Sequence, residues 1–441
     1  MKKILFCGYF LLFGLVIGSA QTLNDSETAK LKLFLEKEST EPGKKNYQQL
    51  AIQNMETVDW LNIDGLVWNA NGRLDSMKWY NKKLGGDLDL SGFSEIRFIR
   101  CEFNGLTTID VTGCTGLLYF DCFNNNFTSL DISTNINLEW ICCRWQNVIL
   151  KEIDLTHNPK LYHFCGTGNH FEYIDISKNP ELIDFFCAAT NLKSIDVSKN
   201  LKLKEVYLRG NQLTELDFSN HPELEVLTCY DNQLTKLDVS GCPKLKTLTA
   251  HNNLLKEIKI DYLDIDILSC QDNYLTFSTL PKLKSWNTFT YADQKTVKLS
   301  FPANIVDLSS EYRINGIKSA FIWTNNYNPP EIREGVFSID NVYKNITCYV
   351  TNSSYPGIVM TYDIELFSAQ SIDMLQDIEV YTVGRQLYLK TNRPLIAQIY
   401  MVTGVLDRQL TIIDGEYMLP MSKGIYIVKL SNGLVRKVVI R

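Results

Sequence analysis

The sequence predicts a mainly β protein: a solenoid of short coils with a helical N-terminal cap, followed by two small β-sandwiches. Three observations predict it. A motif with anchors 20–23 residues apart recurs ten times between residues 74 and 283. Apolar segments alternating with Gly, Asn and Pro breaks fill 291–368, and a further alternating stretch runs over 374–441. The chain of 441 residues, 45% hydrophobic and 21% charged, is long enough for about three domains and is neither disordered nor fibrous. Its formal charge of -6, with no basic tract, argues against a nucleic-acid partner.

Taken in order, the chain opens on Met1-Lys2-Lys3, an apolar run from Ile4 to Gly18, and the small residues Gly18-Ser19-Ala20. That is the layout of a secretory signal peptide over 1–20, cleaved after Ala20. No other segment approaches ~20 consecutive apolar residues, so no transmembrane helix is expected in the mature chain. The expected location is outside the cytoplasm, at the cell surface or in the medium. Residues 21–73 form the cap. Leu31, Leu33, Phe34 and Leu35 after Ser26 read as a short amphipathic helix, and Trp60, Trp68 and Trp79 supply bulk to cover the open first coil.

The repeats are anchored at Leu74, Ile96, Leu117, Leu138, Leu161, Leu182, Leu203, Leu224, Leu245 and Ile265. Three residues on stands another apolar residue. Five residues on stands Cys101, Cys122, Cys143, Cys187, Cys229 or Cys270, alternating with Trp79, Gly166, Leu208 and Ala250. Eight residues on stands usually Asn, as at Asn104, Asn125, Asn211 and Asn253. A position that accepts Leu, Ala and Gly is a packing site, so the cysteines are expected as small apolar filler rather than as a metal array. The asparagines are expected to bind buried backbone between coils, and the recurrent Asp110 to Asp238 series to bind turn backbone.

This L-x-x-L-x-C-x-x-N-x-L unit resembles the leucine-rich repeats of bacterial internalins, with cysteine in the ladder. The resemblance implies a right-handed leucine-rich-repeat solenoid of ten coils over 74–283, with a parallel sheet on its concave side. Trp323 and the Cys348-Tyr349-Val350 strand resemble the core of an immunoglobulin-like sandwich, without a cysteine upstream to complete its disulfide. Gly404 after a strand, Gly424-Ile425-Tyr426 and the basic closing strand resemble the C-terminal sorting domain of type IX secretion substrates. That likeness implies the type IX secretion machinery as a partner.

No H-E-x-x-H, G-x-S-x-G or P-loop is present. His163 and His170 lack the companions of a zinc site, so no catalytic residue, metal or cofactor is expected. The outward strand positions are more informative. They carry Phe98, Tyr119, Phe123, Trp140, Arg144, Phe186, Tyr207, Arg209 and Tyr230, with Trp145 one residue further. A sheet face needs no such aromatics to fold, and Arg and aromatic side chains are favoured interface anchors. The expectation is a non-enzymatic recognition or adhesion protein that takes a protein ligand, or a glycan, on this face. A structural part in a cell-surface assembly is the alternative. Cys142 and Cys165, outward on adjacent strands, are candidates for a disulfide.

Overall fold

The computed structural model describes residues 22–440 except 261–264, 282–287, 303–304, 325–326, 341, 344, 356, 368–377, 384, 392–394, 402–405, 413–414 and 431–434. The leader at 1–20 and Gly404 lie outside the described residues. The chain separates into two compact units. One holds the residues up to Thr296 together with Thr351–Met360, and the other holds Val297–Val350 and Thr361 onward.

The first unit is the expected solenoid. Leu66–Trp68 pairs antiparallel with Leu74–Lys78. Ten further strands then follow in parallel, from Phe98–Arg100 and Tyr119–Asp121 to Ile267–Ser269 and Thr288–Thr290. The last of these lies beyond residue 283, so the solenoid continues one strand past the end that the sequence motif marks. The leucine pattern is lost there, but Gln294 still takes the amide position and donates to the Cys270 and Tyr291 carbonyls.

Most strands are three residues long because only three alternate out, in, out before the turn. The inward residue is wholly buried in each: Ile99, Phe120, Ile141, Phe164, Phe185, Val206, Leu227, Leu248 and Leu268. The six ladder cysteines are buried free thiols in the same core. Gly166 replaces cysteine because a Cβ there would stand 2.7 Å from the rings of Phe164 and Phe171.

Two amide ladders tie successive coils. In the first, Asn125 Nδ2 donates to Cys101 O of the preceding coil and Cys122 O of its own, at 2.9 and 3.1 Å. Gln146, Asn169, Asn211, Asn232, Asn253 and Asn273 repeat this. The second runs along the convex turn. Asn158 donates to Ile132 O and Asn135 O, and Asn179 and Asn200 copy it. Cys114, His221 and Cys242 stand in for asparagine there, each reaching one carbonyl. Leaving such buried carbonyls short of donors would cost about 1–3 kcal/mol each.

The aspartates behave as expected. Asp131, Asp154, Asp175, Asp196 and Asp217 each accept from the backbone amide two residues on, at 2.8–2.9 Å. At the N-terminal end, helix Asp25–Leu35 is capped by Asn24, whose Oδ1 accepts from Glu27 N at 3.0 Å. Buried Glu27 accepts from Arg73 Nε and Leu74 N, at 2.6 and 2.8 Å. Phe34 stacks on Trp79 of the first coil with centroids 6.0 Å apart.

Among the described residues, the second unit is built of β-strands apart from a 3₁₀ turn at Ser309–Glu311. Strands Val297–Pro302, Val359–Phe367, Asn345–Thr351 and Ala320–Trp323 form one sheet; Ile305–Asp307, Val336–Ser338 and Glu331–Arg333 form another. Trp323 meets Phe337 edge-on at 5.1 Å, joining the two, and Cys348 is a buried free thiol. Toward the C-terminus, Ile378–Val383, Gln386–Thr391 and Gly415–Pro420 face Leu406–Ile412, Leu395–Met401, Gly424–Leu430 and Val435–Ile440. Leu387, Leu389, Ile399, Val428 and Ile440 share their core.

Candidate ligand-binding face

Alternation along each short strand sends its first and third residues to the concave side of the solenoid. Because the parallel strands pair without slippage, equivalent residues lie side by side: Phe98 by Tyr119, Tyr119 by Trp140, Trp140 by His163. Their rings form a continuous row. Tyr119 and Trp140 are stacked 4.2 Å apart with planes 9° apart, and Trp140 and His163 4.8 Å apart at 7°. His163 then meets Phe186 edge-on at 5.1 Å, and Phe186 meets Tyr207 at 4.6 Å. The imidazole is held by Asp184, Nδ1 to Oδ2 at 3.0 Å. Each ring contact is worth about 0.5–1.5 kcal/mol. Phe98 begins the row, 38% exposed and 6.3 Å from Tyr119.

Phe123 and Arg144 belong to a second row at the strand ends. Phe123 contacts Phe103 edge-on at 4.7 Å and carries the Arg144 guanidinium 4.4 Å from its ring centre. Trp145 sits in the turn itself, 48% exposed, with φ of 50°. Equivalent turn residues include Asn124, Gly168, Gly210, Asp231 and Asn252, types that tolerate left-handed backbone, and Ala189 with φ of 52°. A tryptophan or, in the preceding coils, Phe103 is out of place there on conformational grounds, which points to a use for the ring. Further along this second row, Tyr230 is stacked on His251 at 4.3 Å, with Arg209 over it at 5.7 Å.

Cys142 and Cys165 are in-register neighbours on this face. In the structure both thiols are free. Their outward positions are nonetheless 4% and 5% exposed, because the flanking aromatic and arginine side chains cover them. Its hydrogen bond with Cys165, and then burial, push the Cys142 thiol up, so it stays protonated.

A depression of about 510 Å³ opens over Trp140, His163, Cys165, Phe186 and Tyr207. Asp184 and Glu205 line one edge and Arg144 and Arg209 the other, across an aromatic floor. Burial and the neighbouring Asp184 raise the Glu205 carboxyl. A hollow of about 580 Å³ on the convex side is lined by Asp196, Asp217 and Asp238, all already bound to turn amides. Among the described residues, no group of three or more His, Cys, Asp and Glu is placed to hold a metal ion, and no helix is long and apolar enough to cross a membrane.

His163 shares the outward register position of Phe98, Tyr119 and Trp140 and completes the ring row, whereas sequence reasoning passed over Phe103, one residue outside the strand. It also passed over Glu102 and Asp121, which are buried at outward positions. The register that located Phe98 and Tyr119 also contained these.

No family model matches the sequence, and no curated protein matches it. Among solved structures, the chain is similar to the functional domain of InlJ from Listeria monocytogenes, which includes a cysteine ladder. That match has 19% identity over 62% of this chain and 77% of that one, with a TM-score of 0.41. A leucine-rich-repeat protein of Leptospira interrogans matches at 18% identity, 50% and 71% coverage and a TM-score of 0.38. InlP of Listeria monocytogenes matches at 16% identity, 70% and 93% coverage and a TM-score of 0.37.

Proposed function

We propose that this chain is an exported, non-enzymatic recognition protein that binds a protein ligand on the concave face of its leucine-rich-repeat solenoid. The supporting observation is the six-membered ring row from Phe98 to Tyr207. It spans six coils and stays partly exposed, carrying more aromatic surface than a solvated sheet face needs in order to fold. Trp140, Phe186 and Tyr207 are the anchors, with Arg144 and Arg209 at the rim. In this reading residues 1–20 direct export, 291–368 act as an immunoglobulin-like spacer, and 374–441 are the sorting domain handled by type IX secretion machinery. The protein then acts at the cell surface or in the medium.

The test is capture of surface and secreted proteins, in parallel with a glycan array, by the chain from Gln21 onward. Trp140→Ala and Tyr207→Ala together should abolish capture while leaving the melting temperature within a few degrees. Unchanged capture would remove the concave face from consideration. Retention by glycans alone would replace the protein ligand, and one constitutive partner would favour a structural assembly role.

A further inference from the structure

Resting on that reading, the geometry points to a site for one basic side chain of the ligand, lysine or arginine, at Glu102 and Asp121 on the concave face.

The two carboxylates come from adjacent coils. Arg100 and Asp121 are register partners, and Glu102 lies two residues beyond Arg100 on the same face. Both carboxylates are almost fully buried, Glu102 at 2% and Asp121 at 5% exposed. Arg100 satisfies only part of the pair. Its guanidinium binds Glu102 Oε1, through Nε at 3.1 Å. Glu102 Oε2 and Asp121 Oδ1 have no hydrogen-bond partner. Tyr119 offers Asp121 Oδ2 only a long contact of 3.5 Å. A buried anionic oxygen left unpaired is costly, and a cation brought to it is strongly favoured.

The surroundings suit a cation on a slender stem. Tyr119 and Phe123 flank Asp121 two residues either side on the same face, and Trp140 backs Tyr119. Rings around a carboxylate attract ammonium and guanidinium groups, and their faces take the methylene stem. This molecule already uses its rings so, with Arg144 over Phe123 and Arg100 over Tyr80. The two oxygens lie beneath the surface, within reach of a head carried on a long stem. Two carboxylates are too few protein ligands for a metal cage. The coverings to be displaced are Arg144, which is exposed, and the partly exposed Arg100 side chain.

Asp121 is faced by Arg100 and Glu102 from the preceding coil, by Tyr119 and the Phe123 amide from its own, and by Cys142 and Arg144 from the next. Burial first, then the Glu102 charge, push its carboxyl up to about 7. Cation binding needs Asp121 ionised, so affinity should fall as pH drops through 7, by about tenfold per unit below it.

The experiment selects binders from a phage-displayed random heptapeptide library on the chain from Gln21 onward, at pH 8. Selected peptides should share a lysine or arginine at one position. Exchanging it for norleucine should weaken binding at least tenfold, and so should Asp121→Asn or Glu102→Gln in the protein. The norleucine peptide should be indifferent to both variants and to pH between 8 and 6. Thermal melting checks that each variant folds. Basic peptides that bind Asp121→Asn and Glu102→Gln as well as the parent overturn the inference. So does a selection that returns no peptide sensitive to either variant. If those peptides are still lost on Trp140→Ala, the concave-face reading survives; peptides indifferent to Trp140→Ala and Tyr207→Ala together would defeat that reading itself.

Discussion

The indole of Trp145 occupies the space above Gly168 of the next coil, where a Cβ would lie 2.2 Å from the ring carbon Cε3. Gly168 also has φ of 76°. Gly168→Ala therefore meets both a steric and a backbone penalty, and should lower stability by about 1–3 kcal/mol in urea unfolding. In a Trp145→Ala background the steric part disappears, so the cost should shrink measurably. Equal costs in the two backgrounds would show that the ring is not what restricts residue 168.

The convex amide ladder makes a second prediction. Asn158 Nδ2 donates to Ile132 O and Asn135 O from a wholly buried position. Asn158→Ala should cost about 1–3 kcal/mol. An exposed control such as Asn137→Ala, which loses a bond to Thr115 O at the surface, should cost much less.

His221 occupies an asparagine position in that ladder. Its Nε2 reaches Val197 O at 3.1 Å, while buried Nδ1 has no partner. Burial lowers its pKa from the ordinary value of 6.5. The folded state therefore binds fewer protons than the unfolded chain. Its contribution is fully present above pH 6.5 and is lost as pH falls below that value. His221→Asn should remove this slope between pH 7 and 5, read from melting temperatures across the range.

The thiols give a count. Eleven cysteines among the described residues are free and buried. Burial pushes Cys187, Cys229 and Cys242 up to about 12. Native protein should thus resist iodoacetamide at pH 8 except at Cys165, whose thiol is lowered by its hydrogen bond with Cys142, and denatured unreduced protein should titrate all eleven. Two missing thiols would show that Cys142 and Cys165 had closed a disulfide.

The turn aspartates predict acid sensitivity. Hydrogen bonds from Ser or Thr two residues on hold Asp131, Asp154, Asp175, Asp196 and Asp217 below the usual carboxylate range. Their stabilisation is present above about pH 4 and lost as pH falls below it. All are exposed except half-buried Asp175, and all are hydrogen-bonded at the surface, so each contributes ~1 kcal/mol or less. Asp175→Asn with Asp196→Asn keeps the turn acceptors, and should flatten the stability curve between pH 5 and 3. An unchanged curve would assign the acid loss to other groups.

Periodicity made the solenoid legible. The same register identified the cysteine core, the first amide ladder and the concave positions of Tyr119, Trp140 and Tyr207. It did not convey burial. Cys142, Cys165 and Asp121 point outward, and only the neighbouring side chains decide that they are covered. The second ladder was present in the sequence as Asn135, Asn158, Asn179 and Asn200, but its Cys114, His221 and Cys242 members disguise it. The strained turn at Trp145 has no signature in composition. It emerges when ten equivalent φ angles are compared.

The amide ladders also have a direction. Asn125 reaches the carbonyl of Cys101, Asn169 that of Cys143, and Asn200 those of Ile176 and Asn179. Every such donor points back to chain already made. A new coil can dock onto a finished one as it emerges, its amide reaching a carbonyl already in place. The side-chain ladders can thus close in the order in which a ribosome or a translocation channel delivers the chain.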